Sequence, residues 1–263
     1  MEKQVLVIQK NTSKGSFAEA FASVFSSLSI VRKHNLYGYF IIPFLLNIII
    51  LSAIFYFSFV TLRPLIYGNI PESGWLFTAI RFIITPLLLI VQAVITILIY
   101  SIVGTIITAP FNDFLSQKVE VKAFGEDFDE KLTLASIVAD IVRAIGNVLK
   151  LLLLIIGVNI ILLLLNIIPV LGSLLYTIIG FLTTVFFLGF QFYDFPLERR
   201  RFTFGEKLKI SFSFIKQILG VGTAFFLLSL IPLVNFLGLN MGTIGATVMF
   251  TRYIKPAVKK ESL

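Results

Sequence analysis

From Leu151 to Tyr193 no side chain of this chain is charged, and this stretch limits the possible folds more than any other feature. A straight helix of that length measures roughly twice the ~30 Å hydrocarbon core of a bilayer, at a rise of ~1.5 Å per residue. The single proline of the stretch, Pro169, lies near its middle and is followed closely by Gly172. The pattern therefore predicts a helical hairpin that enters lipid, turns at these two residues and returns.

Composition extends this prediction to the whole chain. Hydrophobic residues make up 57% and charged residues 14%, whereas an ordinary soluble domain has ~25% charged residues. The net charge of +8 is typical of the basic edges of a membrane protein, so we expect a lipid bilayer as partner and no nucleic acid. Because the chain has no cysteine and a single histidine, His34, it predicts neither a disulfide nor a metal site.

Four uncharged runs predict an all-α integral membrane protein. The runs are residues 36–62, 82–112, 151–193 and 217–251. The first two are long enough to form complete transmembrane helices. Pro43 and Pro86 are expected in their first turns, where a missing backbone N–H costs little.

The fourth run is divided by helix breakers between Pro232 and Gly242. The division leaves two apolar pieces, Ile218–Ile231 and Met241–Thr251, and each is too short to cross a bilayer alone. We therefore predict two long transmembrane helices plus two helical hairpins that fully or partly penetrate the bilayer.

The remaining segments complete a single membrane domain over residues 1–263. Residues 1–35 are predicted to form an N-terminal interfacial segment, which includes an apolar helix from Phe17 to Ile30. Residues 113–150 form a cytoplasmic loop with an amphipathic helix, and residues 252–263 form a basic tail. The amphipathic helix either lies in the membrane interface or leads directly into the first hairpin.

The basic residues predict the orientation of the chain. If both hairpins return to the side they leave, every lysine and arginine except Arg63 and Arg81 falls on one side. The positive-inside tendency then places both termini in the cytoplasm and the segment from Arg63 to Arg81 outside.

Motifs of enzymes and of ATP-driven pumps are missing from the sequence. It contains no phosphate-binding loop, no dinucleotide-binding glycine pattern, no metal-ligand spacing and no nucleophilic serine in an elbow pattern. We therefore expect no enzyme and no cofactor. The four uncharged runs also exclude a charged relay, which favours a passive route or none.

Polar side chains within the runs either line a path or form hydrogen bonds between helices. The candidates are Asn47, Gln92, Asn159, Asn166, Gln191, Asn235 and Asn240. Outside the runs, Asp140 and Arg143 lie three residues apart on the amphipathic helix, so they either form a solvated ion pair or line a pore.

The tips of the two hairpins offer a physical mechanism for anion binding. After each tip a half-helix is expected to begin, near Ser173 in the first hairpin and near Asn240 in the second. Unpaired N–H groups and the positive end of the helix dipole would then lie deep in the protein. Our hypothesis is that these ends face an anion route, and the alternative is that the tips only pack within an oligomer.

Five short strings in the right order resemble the CysZ-type sulfate permeases, the bacterial branch of the etoposide-induced-protein family. The strings begin at Ile42, Ala109, Gln191, Ile231 and Gly245, and they read IPFLLN, APFND, QFYDFP, IPLVN and GAT. The resemblance implies an all-helical homo-oligomer in a bacterial inner membrane. It also implies channel-like entry of sulfate, a small anion, without ATP or a cofactor.

The chain departs from this family at the sulfate-binding loop before the first span. Members carry Gly-(Leu or Ile)-Arg there, usually with a second Arg. This chain has Asn35, Leu36, Tyr37 and Gly38 at those positions, with Arg32 and Lys33 just upstream. The two upstream cations either replace the missing arginines or only anchor the span. On the amphipathic helix, Gly146, Asn147 and Val148 also stand where the family carries charge.

The sequence thus predicts a passive transporter or channel for a small anion, with sulfate chosen by resemblance. The alternative is a non-transporting oligomeric membrane scaffold.

Overall fold

The computed structural model describes residues 4–9, 14–68, 74–128, 134–165, 167–168 and 171–262. Its elements in chain order are β1 (Gln4–Ile8), α1 (Phe17–Lys33), α2 (Tyr37–Tyr67), α3 (Trp75–Phe124), α4 (Leu134–Leu165), α5 (Leu171–Arg199), α6 (Phe204–Ser213), α7 (Ile215–Ser229), α8 (Pro232–Met249), a π-helical turn (Phe250–Ile254), a 3₁₀ turn (Lys255–Ala257) and β2 (Val258–Ser262). The predicted helical membrane fold is confirmed. Among the described residues, three helices are long and apolar enough to cross a membrane: α2, α3 and α5.

Backbone contacts divide the chain into two compact units. The α2–α3 unit is Gly38–Asn112, and the main unit combines Met1–Tyr37 with Asp113–Leu263 and so contains both hairpins. Helix α3 therefore belongs to the α2–α3 unit as far as Asn112, and its last turns belong to the main unit. The single membrane domain stays a prediction.

In the α2–α3 unit, polar side chains join the two helices. The Gln92 amide donates to the Phe55 carbonyl oxygen at 3.0 Å, and the Tyr100 hydroxyl donates to Asn47 Oδ1 at 2.5 Å. For Asn47 and Gln92, this favours interhelical hydrogen bonding, the second of the two alternatives, over a path-lining role.

The prediction that two prolines sit in first turns was wrong. Pro43 lies in the second turn of α2, and Pro86 lies well inside α3, which already begins at Trp75. Prolines inside helices are tolerated at membrane depth when neighbouring groups compensate the lost backbone bond.

The first hairpin consists of α4 and α5, which pack on each other. Helix α4 runs without a break from Leu134 to Leu165, so the amphipathic segment leads directly into the hairpin, as one of the two alternatives stated. The chain turns before Leu171. The predicted turn residue Pro169 and the candidate Asn166 lie outside the described residues.

The second hairpin differs from its prediction. Helix α8 begins with Pro232 and passes through Asn240 and Gly242 without a break, so the expected interruption and the start at Met241 were wrong. A Cβ added to Gly242 would lie 2.7 Å from the ring of Phe192. Close packing against α5 thus stabilises a helix that the weak propensities of its glycine and asparagine residues argue against.

The core of the main unit is built on close helix contacts. Helices α5 and α7 approach so closely that a Cβ on Gly189 would lie 2.0 Å from the Ile218 carbonyl oxygen. Helix α1 begins at a capping box, in which Ser16 and Glu19 each bond the other's backbone N–H, and it packs on α7 and α8. The predicted helix from Phe17 to Ile30 is confirmed, whereas its interfacial position stays a prediction.

A short β-ribbon is the one described departure from the all-helical prediction. Strand β1 pairs antiparallel with β2, with Leu6 opposite Lys260. The expected basic tail therefore contains ordered turns and a strand that pairs with the beginning of the chain. Neither strand is long enough to be evident from its own sequence, because pairing requires the distant partner.

Candidate functional site

Charged side chains from four helices of the main unit meet in one cluster, which we name the ion network. Its members are Asp113 and Glu120 on α3, Arg143 on α4, Asp194, Glu198 and Arg199 on α5, Arg200 just after it, and Lys207 on α6. Because the acids and the bases are equal in number, the formal charge of the network is zero.

The first half of the network surrounds Glu120, whose side chain is fully buried. Its carboxylate accepts from Arg199 Nη2 at 2.9 Å and from Arg200 Nη2 at 2.6 Å. Arg199 also donates to Asp113, two helical turns before Glu120 on the same face of α3. Burial raises the pKa of Asp113, while the Arg199 guanidinium opposes that rise.

The second half surrounds Lys207, whose side chain is also fully buried. Its ammonium donates to Asp194 Oδ1 at 2.6 Å and to Glu198. Asp194 and Glu198 lie four residues apart, so both carboxylates share one face of α5. Lys207 is positioned by the start of α6, where Thr203 and Glu206 form a capping box.

Glu198 also receives donors from α4. Arg143 Nε donates to Glu198 Oε1 at 2.5 Å, and Asn147 Nδ2 donates to Glu198 Oε2 at 2.9 Å. Asn147 is thus an uncharged partner in the segment where the family carries charge. Arg143 forms an ion pair with another helix, while the side chain of Asp140 lies outside the described part of the chain.

Aromatic rings and hydroxyls connect the network to the C-terminal elements. Arg200 lies over the ring of Phe250, 4.7 Å from its centroid, and Arg199 Nη2 donates to Ser116 Oγ at 2.7 Å. Ser116 in turn shares a hydrogen bond of 2.8 Å with Thr247 on α8. These contacts hold the two guanidiniums at fixed positions.

The chemistry available to the ion network follows from its charge balance. A buried ion pair recovers its desolvation cost only when geometry and hydrogen bonds are good, and removal of one partner costs ~3–5 kcal/mol. Arg199 and Arg200 are already paired with Asp113 and Glu120, so an oxyanion would have to compete with these carboxylates. As described, the network is a charge-balanced connection between helices.

The loop predicted to bind sulfate connects α1 to α2, at a different place. Arg32 and Lys33 form the last turn of α1; both are exposed and, within the described ranges, neither forms an ion pair. Asn35 has a φ of 49°, a left-handed conformation that asparagine tolerates better than most residues. Lys122 Nζ, on α3, donates to the Asn35 carbonyl oxygen at 3.3 Å.

The other loop residues have different environments. The Leu36 side chain is buried, and that of Tyr37 is 48% exposed. Gly38 is the first residue of the α2–α3 unit, and a Cβ added there would have no heavy atom within 4 Å. Because Lys122 contacts the carbonyl oxygen of Asn35, it is a third cation at this loop beside Arg32 and Lys33. The sequence pattern did not reveal this contact.

The helix starts predicted at the two hairpin tips have different outcomes in the structure. Ser173 is the third residue of α5 and is exposed, as expected for a residue near a helix start. Asn240 is buried in the middle of α8, so the expected half-helix start there was wrong. Asn235 is in the first turn of α8, and its Oδ1 accepts no hydrogen bond from the described residues.

Sequence reasoning missed the ion network, although two of the resemblance strings contain its acids. APFND ends at Asp113, and QFYDFP contains Asp194. The four-residue spacing from Asp194 to Glu198 is a further signal of a charged helix face. The strings identify a family, and they assign no partner to either carboxylate.

Similarity to known proteins extends over most of the chain. Residues 23–239, which include the whole ion network, match the profile of the family described as Sulfate transporter CysZ/Etoposide-induced protein 2.4. A protein of Pseudomonas aeruginosa (strain LESB58) named Sulfate transporter CysZ is 28% identical over 228 residues, covering 86% of this chain and 91% of that protein. A protein of Vibrio parahaemolyticus with the same name is 27% identical over 218 residues, covering 82% and 87%.

Proposed function

Because the chain belongs to the Sulfate transporter CysZ/Etoposide-induced protein 2.4 family, we propose that it carries sulfate across a membrane and that this transport is passive. The names of the relatives support sulfate as the substrate. The missing nucleotide-binding motif supports a route driven by the sulfate gradient alone. The family resemblance that the five short strings predicted is confirmed.

The observation that carries the proposal is the convergence of cations on the loop between α1 and α2. Arg32 and Lys33 are exposed at its start, and Lys122 Nζ lies 3.3 Å from the carbonyl oxygen of Asn35. Sulfate carries two negative charges, and three cations at one loop can supply the attraction that the family's Gly-Leu-Arg arginines supply elsewhere. We assign Arg32, Lys33 and Lys122 as the sulfate-attracting residues.

A structural alternative exists for the same residues. Cations in the last turn of a helix stabilise its dipole, and Lys122 helps satisfy a loop carbonyl. Under this alternative, substitutions would lower thermal stability and leave the transport rate per folded molecule unchanged. The experiment therefore has to measure both quantities.

The test is uptake of radiolabelled sulfate into proteoliposomes that contain the purified full-length protein. The variant Arg32→Ala/Lys33→Ala is expected to reduce the initial rate at least about tenfold, a transition-state cost of ~1.4 kcal/mol. The control Lys209→Ala/Lys216→Ala removes the same charge from two exposed positions and should transport at the wild-type rate. At constant membrane potential, an imposed pH gradient should leave the wild-type rate unchanged, because passive flux follows only the electrochemical gradient of sulfate itself.

Three results would contradict parts of the proposal. Wild-type protein that is folded, inserted and no more active than empty liposomes would favour the alternative, a non-transporting membrane scaffold. Equal rates in the two double variants would leave transport intact and reject the assigned residues. Uptake that requires the pH gradient would reject the passive mechanism.

Three further features belong to the same proposal: a bacterial inner membrane, cytoplasmic termini and a homo-oligomer. Because the chain contains no cysteine, single cysteines can be introduced and labelled from one side of the membrane. Cysteine at Lys259 should be protected from an impermeant maleimide added to intact cells, whereas cysteine at Asn69 should react. Crosslinking of purified protein in detergent would report the number of subunits.

A further inference from the structure

A cavity lies at the bend between α6 and α7, beside the residues that lead into α1, and we name it the elbow cavity. It is lined by residues 14–16 and 213–217, all of which belong to the main unit. Its volume is about 320 Å³, at the lower end of the ~300–1,000 Å³ typical of small-molecule sites. The cavity therefore has room for a small polar group.

The change in composition at this bend fits a membrane surface. Helix α6 carries Glu206, Lys207 and Lys209, whereas the last uncharged run begins at Gln217, directly after Lys216. The two helices are bent by 91° relative to each other. A polar helix along the surface and an apolar helix directed into lipid have this arrangement. The elbow cavity then lies at the depth of the lipid headgroups.

Large apolar side chains next to the cavity are exposed, which agrees with this position. Phe212 is 60% exposed, Ile215 40% and Phe17 41%. Water around such a group of side chains is unfavourable, whereas the boundary between headgroups and acyl chains buries them. Lipid is therefore the surrounding that fits the outer side of the bend.

Lys14 supplies a cation to the cavity. Its ammonium donates to the carbonyl oxygen of Ser213 at 3.5 Å and lies 5.6 Å from the ring centroid of Phe214, and both of these residues line the cavity. Lys14 forms no ion pair with the described residues, and residues 10–13 before it contain no acid. The acid in the first turn of α1, Glu19, is engaged in its capping box. The charge of Lys14 is therefore open to an anion.

Gln217 is a second, independent indication of a ligand. It lines the cavity and is 1% exposed. Neither its amide oxygen nor its amide nitrogen forms a hydrogen bond within the described part of the chain. A buried polar group without a partner is uncommon in folded proteins and costs free energy. A ligand that both accepts and donates hydrogen bonds would remove this cost.

We propose that the elbow cavity binds the headgroup of an anionic phospholipid, with the Lys14 ammonium against the phosphate. The phosphate supplies the negative charge and the acceptor oxygens, and the hydroxyls of a glycerol headgroup supply donors for the amide of Gln217. The acyl chains extend past Ile215 into lipid. The whole length of α1 separates Lys14 from Arg32 and Lys33, so the site is distinct from the α1–α2 loop and does not rest on the proposed sulfate transport.

The test uses a fluorescent label at the cavity. Because the chain has no cysteine, Ile215→Cys introduces a single thiol at an exposed lining residue, and this thiol is labelled with bimane. Delipidated full-length protein in detergent is titrated with phosphatidylglycerol or phosphatidylcholine, each brominated on its acyl chains. We expect half-maximal quenching by the anionic lipid at a concentration about fivefold lower, because one lysine at a membrane surface contributes roughly this factor.

Substitutions of lysine show whether the preference arises at the cavity. Lys14→Gln should remove the preference for phosphatidylglycerol, and Lys14→Arg, which keeps the charge, should retain it. The matched control Lys209→Gln removes the same charge from an exposed position of α6 that does not line the cavity, so it should also retain the preference.

A separate titration distinguishes the lipid from a free oxyanion. Sodium phosphate is added without lipid, with sodium chloride at equal ionic strength as reference. A saturable change in bimane emission with phosphate, together with equal quenching by the two lipids, would assign the cavity to a free oxyanion and overturn the lipid proposal.

The proposal is also overturned if the labelled protein shows no preference between the two lipids, or if the preference persists unchanged in folded Lys14→Gln. Either result would leave the cavity as a water-filled space beside Gln217. Because the signal arises at the bend and requires no sulfate flux, the failure of this site and the failure of transport are separate results.

Discussion

Arg200 Nη2 donates to Glu120 Oε2 at 2.6 Å, joining residues that are 80 positions apart in the chain. Glu120 is fully buried, and it also receives Arg199 at 2.9 Å. One carboxylate therefore accepts from two guanidiniums, with Asp113 as a second acid for Arg199, and it attaches the end of α3 to the end of α5.

Replacing Glu120 by glutamine should strongly destabilise the protein. The amide keeps the size of the side chain and loses the charge, so Arg199 and Arg200 remain beside a group that cannot compensate them. We expect a loss of ~3–5 kcal/mol in the free energy of unfolding, measured by thermal unfolding in detergent. Asp127→Asn removes an exposed carboxylate nearby in sequence and should change stability by less than ~0.5 kcal/mol.

An unchanged melting temperature for Glu120→Gln would show that the two guanidiniums are compensated elsewhere. It would also contradict the arrangement of the first half of the network.

Lys207 and Asp194 should be energetically coupled. Lys207→Met leaves two carboxylates, those of Asp194 and Glu198, with one cation fewer, and Asp194→Asn leaves Lys207 with one acceptor fewer. In a double-mutant cycle, the combined variant should be more stable than the sum of the two losses predicts, by ~0.5–3 kcal/mol. Coupling near zero would mean that the 2.6 Å contact contributes nothing to stability.

Two glycines of α5 should respond oppositely to alanine. A Cβ at Gly189 would lie 2.0 Å from the Ile218 carbonyl oxygen of α7, whereas nothing lies within 4 Å of one at Gly180. Gly189→Ala is expected to destabilise by ~1–3 kcal/mol through overpacking, and Gly180→Ala to stabilise by ~0.5–1 kcal/mol through helix propensity. Both are measured as shifts in melting temperature, and effects of the same sign would reject the close α5–α7 contact.

The capping box of α1 predicts a pH dependence. The hydrogen bond from the Ser16 backbone N–H holds the pKa of Glu19 below its ordinary value of 4.5. Because the folded-state pKa is lowered, the charged carboxylate contributes stability above pH 4.5 and loses that contribution as the pH falls through the lowered pKa. The stability difference between wild type and Glu19→Gln should therefore be present at neutral pH and shrink in this acidic range.

Melting temperatures of both proteins from neutral to acidic pH check this prediction. A difference that stays constant over the whole range would mean that the ionisation of Glu19 does not contribute to the stability of the capped helix.

The predictable part of the fold depended on local patterns. The uncharged stretches indicated helices in lipid, and the spacing of apolar residues indicated the amphipathic beginning of α4, because hydropathy and helical period are properties of neighbouring residues. The same approach failed for α8, where Asn235, Asn240 and Gly242 suggested a break. Contacts such as that of Gly242 with Phe192 come from a distant segment, and a local pattern does not include them.

The candidate site was predictable to a smaller extent. Arg32 and Lys33 could be selected from their position before the first span, and Arg143 from its place on an amphipathic helix. Lys122 could not be selected, because its contact with Asn35 joins two segments separated by the whole of α2. Glu198, which pairs with Arg143, could not be selected either, because it lies on another helix 55 positions away in the sequence.

The order of residues was enough to establish a helical membrane protein of a recognisable family, because burial in lipid demands long apolar helices whose length and period can be read directly. The folded chain was needed to show which charges meet: Glu120 with Arg199 and Arg200, and Lys207 with Asp194 and Glu198. Ion pairing acts over a few ångströms in space, and folding brings together residues that lie far apart along the chain.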